Sequence, residues 1–383
     1  MRNILILLVW IGAIGILSCT KNEVNLDAND EMNGDSVKNS TISETIFIGS
    51  DDNYFYAIDP ASGKIKWEYN AGDEILTNPV IYEGLVYFGC KNGIIFALDI
   101  SSGKQRWIYR VDYDQAIYTG PIVKNGVVYA GAKDFLYALD AKNGSLKWRY
   151  YSKYVLGDII KINGDILYVS FSDTMNAIDI STGKPIWTFI SGNSIVTGSA
   201  VSGGYLYFMD YSGVMYALDA SLGDLKWKYE TNFGGFHNTT PLVADEVLYF
   251  SIPNRDQLFA LNSKTGSKIW NLDNIDFTDP HSDSSPSIYG NTLFVAGSNL
   301  YAINAKSGVL EWQVYIKGTN VSPTFAGNKV YIANWYSEFY CIDVNTKKIA
   351  WSFNSKTRGF HTSACVLMKD GNVKYPSTSG MVQ

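Results

Sequence analysis

Phe96-Ala97-Leu98-Asp99, followed by Ser102-Gly103 and then Trp107, is the stretch on which the fold turns. Phe96 and Leu98 stand two positions apart, so in an extended strand they share one face and Ala97 takes the other. Asp99 is suited to accept backbone hydrogen bonds in a turn, and Gly103 supplies a positive φ. Trp107 then returns on a further strand with a wide apolar surface to bury.

The pattern recurs. Tyr56-Ala57-Ile58-Asp59, Ser62-Gly63 and Trp67 precede it; Tyr137-Ala138-Leu139-Asp140, Asn143-Gly144 and Trp148 follow. Further copies end at Trp187, Trp227, Trp270, Trp312 and Trp351, giving eight. Successive Trp stand 40, 41, 39, 40, 43, 42 and 39 positions apart; only Trp10 and Trp335 fall outside the series. Within one period, Pro79 to Tyr82, Leu85 to Cys90, Ile94 to Leu98 and Lys104 to Tyr109 read as four strands, A to D, separated by turns. Four strands per repeat of this length predict an eight-bladed β-propeller of four-stranded antiparallel blades over residues 45–383. A blade cannot cover both faces alone, but radially stacked blades can. With 14% aromatic residues, 27 of them Tyr, the composition suits strands.

Closing the ring needs eight A strands, and nothing before Thr45 supplies the first. Ser363 to Met368 is the spare candidate, so both ends of the chain are expected in the blade of Trp67. Val373 to Pro376 also reads as a strand and competes with Thr45 to Ile48 for the next place. One closed ring without free sheet edges is expected to stand as a monomer.

Ahead of the repeats, Arg2 precedes an uncharged run from Ile4 to Leu17. That run is too short for a spanning helix, which needs about 20 residues, and suits a signal peptide. Ile16-Leu17-Ser18-Cys19 resembles a bacterial lipobox. The resemblance implies a signal peptide over 1–18, lipidation of Cys19, and a lipid anchor; Thr20 after it implies the outer membrane. Residues 19–44 are polar and without aromatics, so they read as a flexible tether with a reach of roughly 25–30 Å. The net charge of −6 and the lack of a basic cluster argue against nucleic acid. Cys90, Cys341 and Cys365 lack metal or redox spacing and are read as buried apolar residues, with a Cys341–Cys365 bridge left open.

The repeated Ala-x-Asp, Ser/Thr-Gly, Trp pattern resembles the pyrroloquinoline-quinone-like (PQQ-like) repeat family over residues 45–383. Asn262 and Asn304 depart from Asp, Cys341 from Ala and Leu222 from Ser/Thr, while Lys347 replaces Gly and is expected to force a different turn. The resemblance implies one of two occupations. One is that of quinoprotein alcohol dehydrogenases, which bind PQQ and calcium. The other is that of non-catalytic lipoproteins similar to BamB of the outer-membrane β-barrel assembly machinery. The dehydrogenases resemble longer chains, many with adjacent cysteines over the cofactor; no such pair occurs here. The expectation is a scaffold with no cofactor, no metal and no catalytic residues, binding a protein partner at the outer membrane. A small-molecule or glycan-binding propeller is the alternative, and a PQQ-dependent dehydrogenase the remote one.

The candidate binding rim lies on the face that gathers B-to-C turns and D-to-A connections. His237, His281 and His361 each precede an A strand, and Phe236, Phe360 and Arg358 stand beside them. Trp335 and Tyr336 fill a B-to-C turn where other repeats place Lys91, Lys133 or Asp173; Arg255 falls in another. A pair of aromatics in a turn suggests partner contact. The competing reading is that Trp335 folds over the channel mouth and only stabilises its own blade.

Overall fold

In a computed structural model, the residues described are 43–112, 115–151, 160–235, 239–273, 275–277, 284–319 and 321–376. They form eight antiparallel sheets, each with the motif Trp on its outermost strand. We number the blades one to eight from Trp67 to Trp351. In blade two the strands are Val80–Tyr82, Leu85–Gly89, Ile94–Asp99 and Gln105–Arg110, within a residue or so of expectation.

Burial follows position in the blade. The B and C strands are covered on both faces by neighbouring blades, so Val86, Tyr87 and Phe88 are 1% exposed or less. Their sequences accordingly lack a polar alternate. The D strands are half-covered and alternate: in Leu225–Glu230, Trp227 and Tyr229 turn inward between exposed Lys226, Lys228 and Glu230.

The motif turn works as a latch between blades. Asp59 Oδ1 accepts from the N–H groups of Ala61 and Ser62 and from the Ser62 hydroxyl. Gly63 closes the turn at φ 70° by donating to the Asp59 carbonyl at 2.8 Å. Asn262 holds its turn in the same way, so the loss of charge leaves the geometry intact. Seven of the eight motif Trp residues, all but Trp312, hydrogen-bond to the turn of the next blade: Trp67 Nε1 donates to Ile100 O at 3.0 Å, and Trp107 Nε1 to Ala141 O at 2.8 Å. The glycine sits against that indole; a Cβ on Gly103 would stand 2.7 Å from the Trp67 ring. Glycine is therefore required twice, for φ and for the approach of the ring.

Lys347 does not change the turn, contrary to the sequence expectation. It adopts φ 58° and donates to Asp343 O at 2.8 Å, as the glycines do. The Asp343 carboxylate, which accepts from the N–H groups of Asn345 and Thr346, anchors the turn and outweighs the local cost of a left-handed lysine. Trp312, on the D strand of blade seven, meets Phe294 edge-on at 5.5 Å.

The ring closes in blade one as expected. Cys365–Leu367 is its A strand and pairs with Thr45–Gly49 through Thr45↔Leu367, Ile46↔Val366 and Phe47↔Cys365. Val373–Lys374 does not compete for that edge. It pairs on the opposite, inner edge of Cys365–Leu367 as a fifth strand, because Thr45–Gly49 already occupies the outer one. The Tyr375 hydroxyl then donates to Ile81 O at 3.1 Å and accepts from Ile81 N–H at 3.2 Å, tying blade one to blade two. Cys90, Cys341 and Cys365 are buried free thiols, so no Cys341–Cys365 bridge forms. Burial pushes the Cys341 thiol up to about 11.

Candidate binding rim

The inner strands enter the ring through small polar residues that hydrogen-bond from blade to blade. Thr240 N–H donates to Ser285 Oγ at 2.7 Å, and Ser285 N–H to Ser322 Oγ at 3.0 Å. Ser322 N–H donates to Ser363 Oγ at 2.9 Å, and Ser363 N–H to Asn78 Oδ1 at 2.7 Å. This chain of bonds fixes the starting points of five A strands, and with them the connections that form the rim.

The B-to-C turn of blade eight is clamped from below by Asn334, which is fully buried. Its Oδ1 accepts from the N–H groups of Tyr336 and Glu338, each at 2.9 Å. Its Nδ2 donates to Ile316 O at 3.1 Å. Ser337 completes the turn at φ 77°. The result presents Tyr336 outward, 63% exposed, on a fixed backbone. Trp335 turns the other way. It is half-buried and meets the His361 ring edge-on, with centroids 3.9 Å apart. Its carbonyl lies over Gly359, where a Cβ would approach to 2.1 Å.

His361 links this turn to blade one, its Nδ1 standing 2.5 Å from Asp51 Oδ2. Arg358 pairs with Glu74, which also takes Lys91 at 2.7 Å. Lys91 foremost, and Arg358 with it, holds the Glu74 carboxyl below the usual carboxylate range. Phe360 is not on the rim: it is fully buried, 6.1 Å from Phe339, and its N–H donates to Asn334 O. The connection turns inward after exposed Arg358, with Gly359 and Phe360 both buried, and this puts Phe360 in the core beneath the rim. Arg255 ends a short 3-10 turn, Pro253–Arg255, and is exposed on blade six. Phe236, His237, His281 and Cys19 lie outside the described residues.

The sequence-predicted residues that come together are thus Trp335, Tyr336, Arg358 and His361, over the junction of blades eight and one. Sequence reasoning missed Asp51 and Glu74, which organise that junction. It also missed Tyr211, 45% exposed in the B-to-C turn of blade five. Tyr211 occupies the turn position of Trp335, a correspondence that aligning the repeats on their C strands brings out. Among the described residues, no group of three His, Cys, Asp or Glu side chains is placed to hold a metal ion. No described helix is long and apolar enough to cross a membrane.

Fold and repeat together define the class: an eight-bladed propeller of PQQ-like repeats. A family model described as outer membrane protein assembly factor BamB matches residues 33–153, 91–188 and 171–372, and the chain belongs to that family. The BamB of Moranella endobia is 23% identical over 324 residues, covering 79% of this chain and 71% of its own length. The tetrathionate hydrolase of Acidithiobacillus ferrooxidans is 23% identical over 291 residues, 62% of this chain. The chain spans only 58% of that hydrolase. Among solved structures, BamB from Moraxella catarrhalis superposes with a TM-score of 0.66 at 19% identity, covering 77% of this chain and 96% of that one. At that identity the likeness speaks to the fold.

Proposed function

We propose that the protein is a non-catalytic scaffold, anchored to the outer membrane through lipidated Cys19 and a tether over residues 19–44. In this reading it binds a protein of the barrel-assembly machinery through the rim over blades eight and one. Family membership supports the assembly role. The observation that carries the binding face is Tyr336, 63% exposed on a turn that Asn334 holds rigid. An aromatic ring with two side-chain torsions, already ordered before contact, loses little entropy when a partner covers it. Arg358 and His361 supply polar neighbours at the same junction, as a rim around an aromatic anchor requires.

Affinity purification of the tagged chain from detergent-solubilised membranes, read by mass spectrometry, tests the reading. It expects a barrel-assembly protein in stoichiometric amount; its absence in cells that contain that machinery overturns it. Cys19→Ser is expected to release the chain from membranes or to block its processing. A Ser variant that still takes up labelled fatty acid refutes the anchor.

A catalytic reading draws on the resemblance to tetrathionate hydrolase over 62% of the chain and to quinoprotein alcohol dehydrogenases over about a third of it. Turnover of tetrathionate by the purified protein above a heat-inactivated control would establish it.

A further inference from the structure

Lys161 opens the innermost strand of blade four, Lys161–Asn163, and lies directly opposite Tyr168. The matching place on the other inner strands is apolar in blades two, three, five and six and a hydroxyl in blades seven and eight. In blade one it is the Cys365 thiol. Of these eight side chains only Lys161 carries a charge.

Side chains at this place face the next blade. Ser287 Oγ donates to Pro323 O at 3.1 Å, and Thr324 Oγ1 to Ala364 O at 2.7 Å. The hydroxyl of Tyr168, on the same face as Lys161, donates to Ala220 O of blade five at 2.9 Å. The blade-five residue that corresponds to Pro323 and Ala364 is Ser199, one position before the inner strand Ala200–Ser202. Lys161 therefore turns toward Ser199, across the inner seam between blades four and five.

Neither group has its charge or hydrogen bond answered there. Ser199 is 2% exposed, and its Oγ has no hydrogen-bond partner. Lys161 is half-buried, and among the described residues its amine has neither a hydrogen bond nor an ion pair. Burial alone lowers the amine to about 8, with no described carboxylate close enough to oppose it. The side-chain bonds that join the inner strands run from blade six through blade one to blade two and leave this seam out. A buried hydroxyl without a bond and a half-buried ammonium without a counter-ion both cost free energy, and both can donate. A negatively charged group with several acceptor oxygens answers the two together.

We propose that the inner seam between blades four and five binds a small oxoanion, a carboxylate or a phosphate, with Lys161 as its charge partner and Ser199 as a hydrogen-bond donor. The anion takes only the protonated amine, so its affinity falls as the pH rises through about 8. The site uses no rim residue and stands apart from the scaffold reading above.

Inorganic phosphate and acetate, added separately to the purified full chain isotope-labelled at lysine Cε, test the site by NMR. The Lys161 signal is the one missing from Lys161→Met. It is expected to shift saturably at millimolar concentration with one probe or both, and the tighter probe identifies the oxoanion. The bound anion favours the charged amine, so the titration of that signal moves to higher pH. Lys161→Met, apolar like several of the other blades at this place, is expected to melt no lower than wild type and to lose calorimetric binding of the probe. Ser199→Ala keeps the Lys161 signal and is expected to bind at least tenfold more weakly; Ala364 fills that place in blade one. The proposal is overturned if neither probe moves the Lys161 signal more than those of the other lysines, which would leave water alone in the seam. It is overturned equally if folded Lys161→Met retains binding or if Ser199→Ala binds as wild type does.

Discussion

Closing a ring with one strand from the far end of the chain concentrates stability in few residues, which makes truncation informative. A chain ending at Ser363 loses Cys365, Val366 and Leu367, which are 0%, 1% and 4% exposed, together with Tyr375 at 7%. Full burial of a large apolar side chain contributes roughly 1.5–3 kcal/mol, so these four together amount to roughly 8 kcal/mol. Whole domains are stable by only about 5–15 kcal/mol. The loss also bares the edge of Thr45–Gly49 and uncovers Ile46 and Phe47. This variant is expected not to close and to aggregate through that edge. A chain ending at Met368 keeps the A strand of blade one and loses only the fifth strand and the two Tyr375 bonds to Ile81. The expected cost is about 2–3 kcal/mol, a lowered midpoint with cooperativity retained. Circular-dichroism melting and limited proteolysis of the two truncations distinguish them. If the chain ending at Ser363 melts cooperatively at the midpoint of the one ending at Met368, another strand closes the ring and the argument fails.

Two substitutions in the latch should act in opposite directions: Gly103→Ala meets the Trp67 ring and a φ of 69°, costing about 2 kcal/mol or more, while Lys347→Gly relieves a φ of 58° and is expected to gain up to about 1 kcal/mol, both read as melting midpoints. The motif-turn carboxylates set an acid limit. Asp179 is held down to about 2, first by the Ser181 hydroxyl and then by Thr182, and Asp219 to about 2 by Ser221 and then Lys226. A folded-state pKa below the unfolded one stabilises above the unfolded value, so the contribution is complete above about pH 4 and is lost as pH falls toward 2. Melting midpoints should be flat near neutrality and drop in that window, less so for Asp179→Asn; a drop already at pH 6 would point to other groups. Adding PQQ with calcium is expected to produce no dye-linked alcohol oxidation above a heat-inactivated control.

The repeat was legible because its residues answer to one recurring geometry. Gly103 must be glycine both for φ and for the indole of Trp67, so the spacing survives in nearly every copy. Lys347 shows the limit of that reading: the residue departs from the pattern, yet the turn persists because Asp343 anchors it through the N–H groups of Asn345 and Thr346. The fifth strand was misplaced because strand propensity in Val373 to Pro376 carries no information about which edge is free. The rim was only partly legible. Trp335 and Tyr336 are adjacent in a turn, but which one faces solvent depends on His361 and Gly359 from the next connection.

The most direct test of the docking rim is quantitative capture from solubilised membranes by wild type and by Tyr336→Ala, alongside their melting curves. Tyr336 is 63% exposed, so its ring adds little to folding and the two midpoints should agree. Partner recovery should fall at least about tenfold, roughly 1.4 kcal/mol of binding. Undiminished capture by the folded Ala variant would contradict the assignment of this face.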